Sequence, residues 1–232
     1  MLEIVSAYAA NNPELGELSA LNTKRAFWND FRYRRGVEIF GEAEPADHVY
    51  QIKSGAVRTF KLLPDGRRQI GAFHLTGDIF GVENGEAYRF TAEAIINTRV
   101  RIARRERLFG DLPENNILPD KDVLKLVTRN LQHAEDHVLL LGRQTALERI
   151  AAFLVEMDRR LKAPKVLMLP MSRRDIADYL GLTHETVSRT LSILRRKGIL
   201  GFPGQTQREI VLHDRPRLAQ LAFMPEADIR AS

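Results

Sequence analysis

The spacing of apolar residues changes once along this chain, between residues 103 and 120. Before that point, apolar runs of four to eight residues are separated by glycine, proline and aspartate, which is typical of β-strands joined by tight turns. After it, apolar residues recur at intervals of three and four, which is typical of amphipathic helices. The pattern predicts an α+β protein with its strands in the N-terminal part and its helices in the C-terminal part.

Composition is that of an ordinary globular protein. Of 232 residues, 44% are hydrophobic and 28% are charged, which is enough for a packed core. No apolar run reaches the ~18 residues of a membrane span, and residues 1–16 lack the pattern of a secretory signal. We therefore expect a cytoplasmic protein with no membrane partner. The absence of cysteine excludes disulfides, thiolate metal sites and cysteine-ligated iron–sulfur clusters.

The N-terminal part is predicted to form a roll of two sheets. Many short strands at close spacing favour a sandwich or a double-sheet jelly roll. Upstream of them, residues 18–31 suggest a short helix, and residues 32–35 form a small basic patch. The predicted strands are residues 37–40, 48–52, 55–62, 69–73, 90–96 and 98–102.

A long helix is predicted from Pro119, with Asp120 and Asp122 in its first turn. Two interpretations of its apolar residues remain open: a helix that packs on its own domain, and a two-stranded coiled coil that joins two subunits. The narrow seam favours the coiled coil, and therefore a homodimer. The apolar residues of this stripe are Leu124, Val127, Leu131, Ala134, Val138 and Leu141. A second stripe, residues 147–161, predicts another helix that ends before Pro164.

Residues 172–197 carry the pattern of a helix-turn-helix. Ser172 is a helix cap with Asp175 as a shortened capping box. Ala177 allows two helices to approach closely, Gly181 supplies a left-handed turn, and Val187 packs the second helix on the first. Thr183 caps this second helix, and residues 199–202 and 209–212 predict two strands of a wing.

The second helix has the short polar face of a helix that reads the major groove. Arg189 is suited to guanine O6 and N7, Glu185 to a base amine, and Ser188 to a thymine methyl or a base edge. His184 either reaches phosphate or an adjacent base, or is a surface histidine without a role. Residues 172–217 hold nine basic residues against five acidic ones, which fits a duplex DNA partner. The candidate DNA-binding residues are Ser172 and Arg173 (for phosphate), Thr183, His184, Glu185, Ser188, Arg189 and Arg196.

The order of roll, long helix and winged helix-turn-helix resembles the CRP/FNR superfamily of bacterial transcription regulators. Gly55, Gly66, residues 77–81 (GDIFG) and residues 183–189 (THETVSR) carry the resemblance, which spans roughly residues 20–215. The ETVSR string resembles the FNR/FixK branch. That resemblance implies inverted repeats of the TTGA…TCAA kind, base reading by Glu185, Ser188 and Arg189, and recruitment of RNA polymerase to genes of low-oxygen respiration or nitrogen fixation. The domains expected are a sensor-like β-roll (1–117), a dimerisation helix (118–145) and a winged helix-turn-helix (146–232).

The sensor motifs of the superfamily are incomplete in this chain. Cyclic-AMP-binding members carry Gly-Glu and Arg-Ser in the pocket, whereas the corresponding stretches here are Gly77-Asp78 and Arg89-Phe90. Iron–sulfur members carry a cysteine cluster, which this chain lacks. We therefore expect no cofactor and no metal, and activity without a ligand, as in FixK-like members. The alternative is a sensor gated by a small molecule or a metal in the roll.

Enzyme functions fit the sequence poorly. A metal-binding cupin needs a His-x-His motif, whereas His48 and His74 are isolated. His133 and His137 are spaced for chelation on one helix face, but they are interpreted as surface polar residues because no further ligand motif accompanies them. No nucleophile triad or phosphate-binding loop is evident, so no catalytic residue is assigned.

Overall fold

The structure, a computed structural model, describes residues 28–109, 120–143, 145–162, 165–204 and 208–222. Its N-terminal strands are β1 (Asn29–Tyr33), β2 (Glu38–Phe40), β3 (His48–Ser54), β4 (Ala56–Leu62), β5 (Arg68–Leu75), β6 (Ile79–Phe80), β7 (Thr91–Ala94) and β8 (Thr98–Arg104). They form two four-stranded antiparallel sheets, ordered β1-β8-β3-β6 and β2-β7-β4-β5. This arrangement confirms the predicted double-sheet roll.

Aromatic side chains fill the space between the two sheets. The rings of Phe40 and Tyr88 stack with centroids 3.7 Å apart, and the rings of Tyr50 and Phe80 stack at 5.2 Å. All four residues are buried in one core cluster with Ile52 and other aliphatic residues. Burial raises the pKa of the Tyr50 and Tyr88 phenols, so both stay protonated at neutral pH.

The turn between β3 and β4 requires Gly55. Its φ is +108°, a conformation that residues with a Cβ rarely adopt. An added Cβ would lie 2.5 Å from Thr98 Oγ1 and 2.7 Å from Thr98 Cα. The Thr98 hydroxyl itself donates to the carbonyl of Ala56 at 3.1 Å, so the turn is held tightly against β8.

The prediction of a short helix at residues 18–31 is wrong in the part of this range that the structure describes. Asn29 to Phe31 belong to strand β1, in which Phe31 pairs with Val100 of β8. Pairing with the edge of β8 satisfies the backbone groups of this segment, and this tertiary contact outweighs its local pattern. Residues 18–27 of the prediction lie outside the described residues.

The described helices are α1 (Arg105–Phe109), α2 (Asp120–Leu141), α3 (Ala146–Leu161), α4 (Arg173–Leu180), α5 (His184–Arg196) and α6 (Arg215–Leu221). Strands β9 (Leu167–Met168), β10 (Leu200–Gly201) and β11 (Glu209–Leu212) form a small sheet in the order β10-β11-β9. The chain divides into two compact units between Leu131 and Gln132, within α2. Helix α2 is described from Asp120 onward, whereas its predicted start at Pro119 and the predicted boundary at Pro164 lie outside the described residues.

The core of the second unit lies around α3. Thr145 caps this helix, and its capping box with Glu148 satisfies two backbone N–H groups. Ile150, Leu154 and Met157 of the predicted stripe are buried, as the periodicity indicates. These contacts give α4 and α5 a fixed platform.

Candidate nucleic-acid interface

Helix α4 begins with the predicted capping box. The Ser172 Oγ accepts from the Asp175 backbone N–H at 3.2 Å, and the Asp175 carboxylate accepts from the Ser172 backbone N–H at 2.9 Å. The Ser172 hydroxyl also donates to this carboxylate at 2.7 Å. The capping role of Ser172 is confirmed, whereas its contact with phosphate stays a prediction.

The turn between α4 and α5 follows the predicted geometry. Gly181 has a φ of +63°, and its N–H donates to the carbonyl of Ala177. The Leu182 N–H donates to the same carbonyl at 3.0 Å. The Thr183 Oγ1 then accepts from the Thr186 N–H at 3.1 Å, which caps α5.

Helix α5 separates an apolar face from a polar one. Val187, Leu191 and Leu194 are buried against the rest of the unit. The polar side is exposed at Thr183, His184, Glu185, Arg189, Ser192, Arg195 and Arg196, with Ser188 half-buried among them. The structure therefore brings the predicted base-reading residues to one accessible face, as an amphipathic helix requires.

Arg173, the predicted phosphate ligand, lies against Phe202 of the wing. Its guanidinium carbon is 5.4 Å from the centroid of the Phe202 ring, within the range of a cation–π contact. Burial lowers the pKa of Arg173, though an arginine keeps its charge at neutral pH. Its Nε is buried without a hydrogen-bond partner among the described residues. No local sequence pattern links Phe202 to Arg173, so this contact could not be predicted from the sequence.

The wing has one more strand than the sequence predicted. Its two expected strands, β10 and β11, pair antiparallel, with Leu200 opposite Leu212. Strand β9, which precedes the helix-turn-helix, pairs with the other edge of β11. The wing is thus tied to the chain on both sides of α4 and α5.

The apolar stripe of α2, defined as the six residues proposed above for dimer contact, is mostly exposed. Leu124 is 67% exposed, Val138 67%, Leu131 56% and Val127 49%. Ala134 is exposed as well, and Leu141 is half-buried. The stripe therefore does not pack on its own domain, apart from Leu141 at its end. Such an exposed row of large apolar side chains is typical of an interaction surface.

A different face of α2 packs within the subunit. Leu126 and Leu140 are 5% and 4% exposed, although neither belongs to the stripe. His133, interpreted above as a surface polar residue, is half-buried. His137, interpreted in the same way, is also half-buried, and the interpretation is wrong for both. Its ring stacks on Tyr179 of α4 with centroids 4.0 Å apart, because this face of α2 is turned toward α4.

The residues at the expected cyclic-nucleotide positions are engaged within the roll. The Asp78 carboxylate accepts from the Leu75 N–H at 2.8 Å and from Arg129 of α2 at 3.1 Å. Arg89 pairs with Glu83 at 2.9 Å. Among the described residues, no group of three or more metal-ligating side chains is present, and no helix is long and apolar enough to cross a membrane.

Two family models match the chain, one in each half. A cyclic nucleotide-binding domain matches residues 30–110, and a Crp-like helix-turn-helix domain matches residues 148–221. The nitrogen fixation regulation protein FixK of Azorhizobium caulinodans is 45% identical over 194 residues, which are 82% of this chain and 77% of FixK. The transcriptional activatory protein AadR of Rhodopseudomonas palustris is 44% identical over 176 residues, 73% of this chain and 72% of AadR.

A solved structure supports the same grouping. FixK2 from Bradyrhizobium japonicum superposes with a TM-score of 0.77 at 54% identity, covering 85% of this chain and 98% of that one. Sequence and fold thus agree over both the roll and the helix-turn-helix. The chain belongs to the CRP/FNR family of DNA-binding transcription regulators, which are not enzymes, and to its FixK-like branch.

Proposed function

We propose that this chain is a homodimeric transcription activator that binds an inverted repeat of the TTGA…TCAA kind. The apolar stripe of α2 supports the dimer, because burying it against a second copy removes its exposed leucine and valine side chains from water. The two inverted half-sites of such a repeat match the two-fold symmetry of the dimer. Their centres are expected about one DNA turn, ~34 Å, apart.

In each half-site, α5 enters the major groove by its polar face. Arg189 forms the bidentate pair with guanine, Glu185 accepts from a base amine, and Ser188 contacts a thymine methyl or a base edge. Arg173, held by Phe202 near the start of α4, neutralises phosphate together with the α4 N-terminus at Ser172. His184, Thr183 and Arg196 flank this face and contact the backbone or an adjacent base.

Activity is proposed to need no effector, cofactor or metal. The aromatic rings of Phe40, Tyr50, Phe80 and Tyr88 fill the space between the two sheets of the roll. The Asp78 carboxylate is already bonded to Leu75 and Arg129. The dimer would act on cytoplasmic DNA and recruit RNA polymerase to genes of nitrogen fixation, as the names of the FixK relatives suggest. Genes of low-oxygen respiration are the other targets that the family resemblance implies.

One observation carries this proposal: a helix-turn-helix with an accessible polar reading face shares its chain with an exposed apolar stripe. The test is an electrophoretic shift with a duplex that bears an inverted TTGA repeat, against the same duplex with both half-sites scrambled. We expect a shift with the repeat in buffer alone, unchanged by cyclic AMP, air or reductant. No preference for the repeat would refute the proposal.

A second candidate, gating by a small molecule in the roll, is favoured by one cleft. Its volume is about 620 Å³, and its lining includes Phe31, Tyr50, Ile102, Arg104 and Arg107. Apolar walls with two arginines suit a small organic anion. If this candidate holds, the purified protein binds the repeat poorly until such a molecule is added.

A further inference from the structure

The C-terminal end of α4 receives hydrogen bonds from two other helices. The last carbonyls of any helix have no partner within that helix. Here the Tyr179 carbonyl accepts from His137 Nε2 of α2 at 2.9 Å, and the Leu180 carbonyl accepts from Arg149 Nη1 of α3 at 3.2 Å. We call these two donors, with the two carbonyls they bind, the clamp.

The His137 half of the clamp fixes both the position and the direction of α4 relative to α2. A carbonyl oxygen can only accept, so this hydrogen bond requires a proton on His137 Nε2. The same imidazole stacks on the Tyr179 ring at 4.0 Å with only 4° between the two planes. Tyr179 is itself buried, so the ring offers a rigid surface. The imidazole thus forms a hydrogen bond at its edge and a stacking contact on its face. Together they restrict the movement of α4 relative to the last turns of α2.

The Arg149 half of the clamp ties the same end of α4 to the loop after α2. Its Nε donates to the Arg143 carbonyl at 3.0 Å, while its Nη1 holds Leu180. Leu141, the last residue of the apolar stripe, lies beside the turn. Its Cδ2 would be 3.9 Å from a Cβ added to Gly181. The end of the proposed dimer helix and the helix-turn-helix are therefore one connected assembly.

We propose that the clamp sets the distance between the two recognition helices, and so the half-site spacing that the dimer accepts. This inference rests on the proposed function. In that dimer, the last turns of α2 lie against the partner, so the direction of α4 relative to α2 determines where α5 is presented. One extra base pair moves a half-site by about 3.4 Å and rotates it by roughly 35°. His137 and Arg149 are positioning residues: they touch no DNA.

The test measures spacing selectivity. Fluorescence anisotropy gives the Kd of the full-length protein for the preferred inverted repeat, for repeats one base pair longer or shorter, and for a duplex with one intact half-site. We expect the wild type to prefer its own spacing by about tenfold or more. His137→Phe keeps an aromatic ring but lacks the N–H donor, and Arg149→Met keeps an apolar stem; each is expected to reduce that preference to threefold or less.

Two further variants separate positioning from stability. His137→Gln places an amide N–H near the Nε2 position and is expected to restore most of the selectivity. Arg159→Met is the matched control for Arg149→Met, because Arg159 is exposed on the same helix. Affinity for the single half-site and the melting temperature are expected to stay near wild-type values in all variants.

Three results would contradict the spacing role of the clamp. Wild-type spacing selectivity retained in both His137→Phe and Arg149→Met would overturn the inference. The inference would also be overturned if the variants lose spacing selectivity only to the extent that they lose half-site affinity and melting temperature. The clamp would then be a general structural contact. A wild-type protein without preference for any inverted repeat would instead refute the proposed function, and the spacing role with it.

Discussion

Replacing Arg189 by alanine tests the base-reading role of α5 most directly. The side chain is exposed on the polar face, whereas the buried residues of this helix are Val187, Thr190, Leu191 and Leu194. The fold is therefore expected to be unaffected. A bidentate arginine–guanine pair contributes about 1–3 kcal/mol. Because a dimer reads two half-sites, the loss on the full repeat is about 2–6 kcal/mol, or roughly 30-fold to more than 10,000-fold in Kd.

The assay is a double-mutant cycle in which one change is made in the protein and the other in the DNA. The Kd is measured for wild type and Arg189→Ala on the intact repeat and on a repeat whose guanines are replaced in both half-sites. If Arg189 reads guanine, the replaced repeat weakens the wild type strongly and the variant hardly at all. Arg159→Ala, an exposed arginine on α3, serves as the control and is expected to behave like wild type.

Arg189 does not read guanine if Arg189→Ala loses the same factor in affinity for the repeat, for the replaced repeat and for random DNA. Such a uniform loss is the signature of a phosphate contact, which carries no sequence information. A lower melting temperature for this variant would also contradict the argument, because it would show that the side chain supports the fold.

Three other predictions address the backbone contact, the dimer and the roll. Arg173→Ala should weaken specific and random DNA alike and reduce the salt dependence by about one unit per half-site, measured by titration at several salt concentrations. Val127→Asp should weaken the dimer by about 3–5 kcal/mol through a buried unpaired charge; an unchanged dimer in sedimentation would refute the apolar stripe as the interface. Gly55→Ala should cost about 2–5 kcal/mol of unfolding free energy in urea, from a strained φ and a clash with Thr98. Gly66 has a φ of +82°, and a Cβ added there meets no atom within 4 Å, so the smaller loss expected for Gly66→Ala isolates the clash.

The parts of the molecule that were predictable depend on local interactions. The helix-turn-helix was predicted nearly to the residue because Ser172, Gly181 and Thr183 each act within a few positions of themselves, through caps and one left-handed turn. Most strands of the roll were also predictable, since turn residues such as Gly66 separate them in sequence. For these elements, local pattern and final structure agree.

The parts that were missed depend on contacts between residues far apart in sequence. Strand β1 is defined by its pairing with β8, about 70 residues later, and no pattern within Asn29–Tyr33 indicates that partner. His137 and its spacing from His133 suggested a solvated face, whereas its partner Tyr179 is 42 residues away. The contact between Arg173 and Phe202 is of the same kind. Single-sequence periodicity reports which side of an element is apolar, but not which element a polar side chain will meet.

Helix α2 explains why this limit matters for function. Its apolar stripe is visible in the sequence because it is regular, yet the stripe is the face that the subunit leaves exposed. The face that packs within the subunit combines Leu126 and Leu140 with the polar His137, which interrupts any regular pattern. A helix that only stabilised its own domain would bury the stripe, and a helix that only joined two subunits would not need His137. If α2 does both, as proposed, a change in the stripe acts on assembly, whereas a change on the His137 face acts on where the reading helix is held.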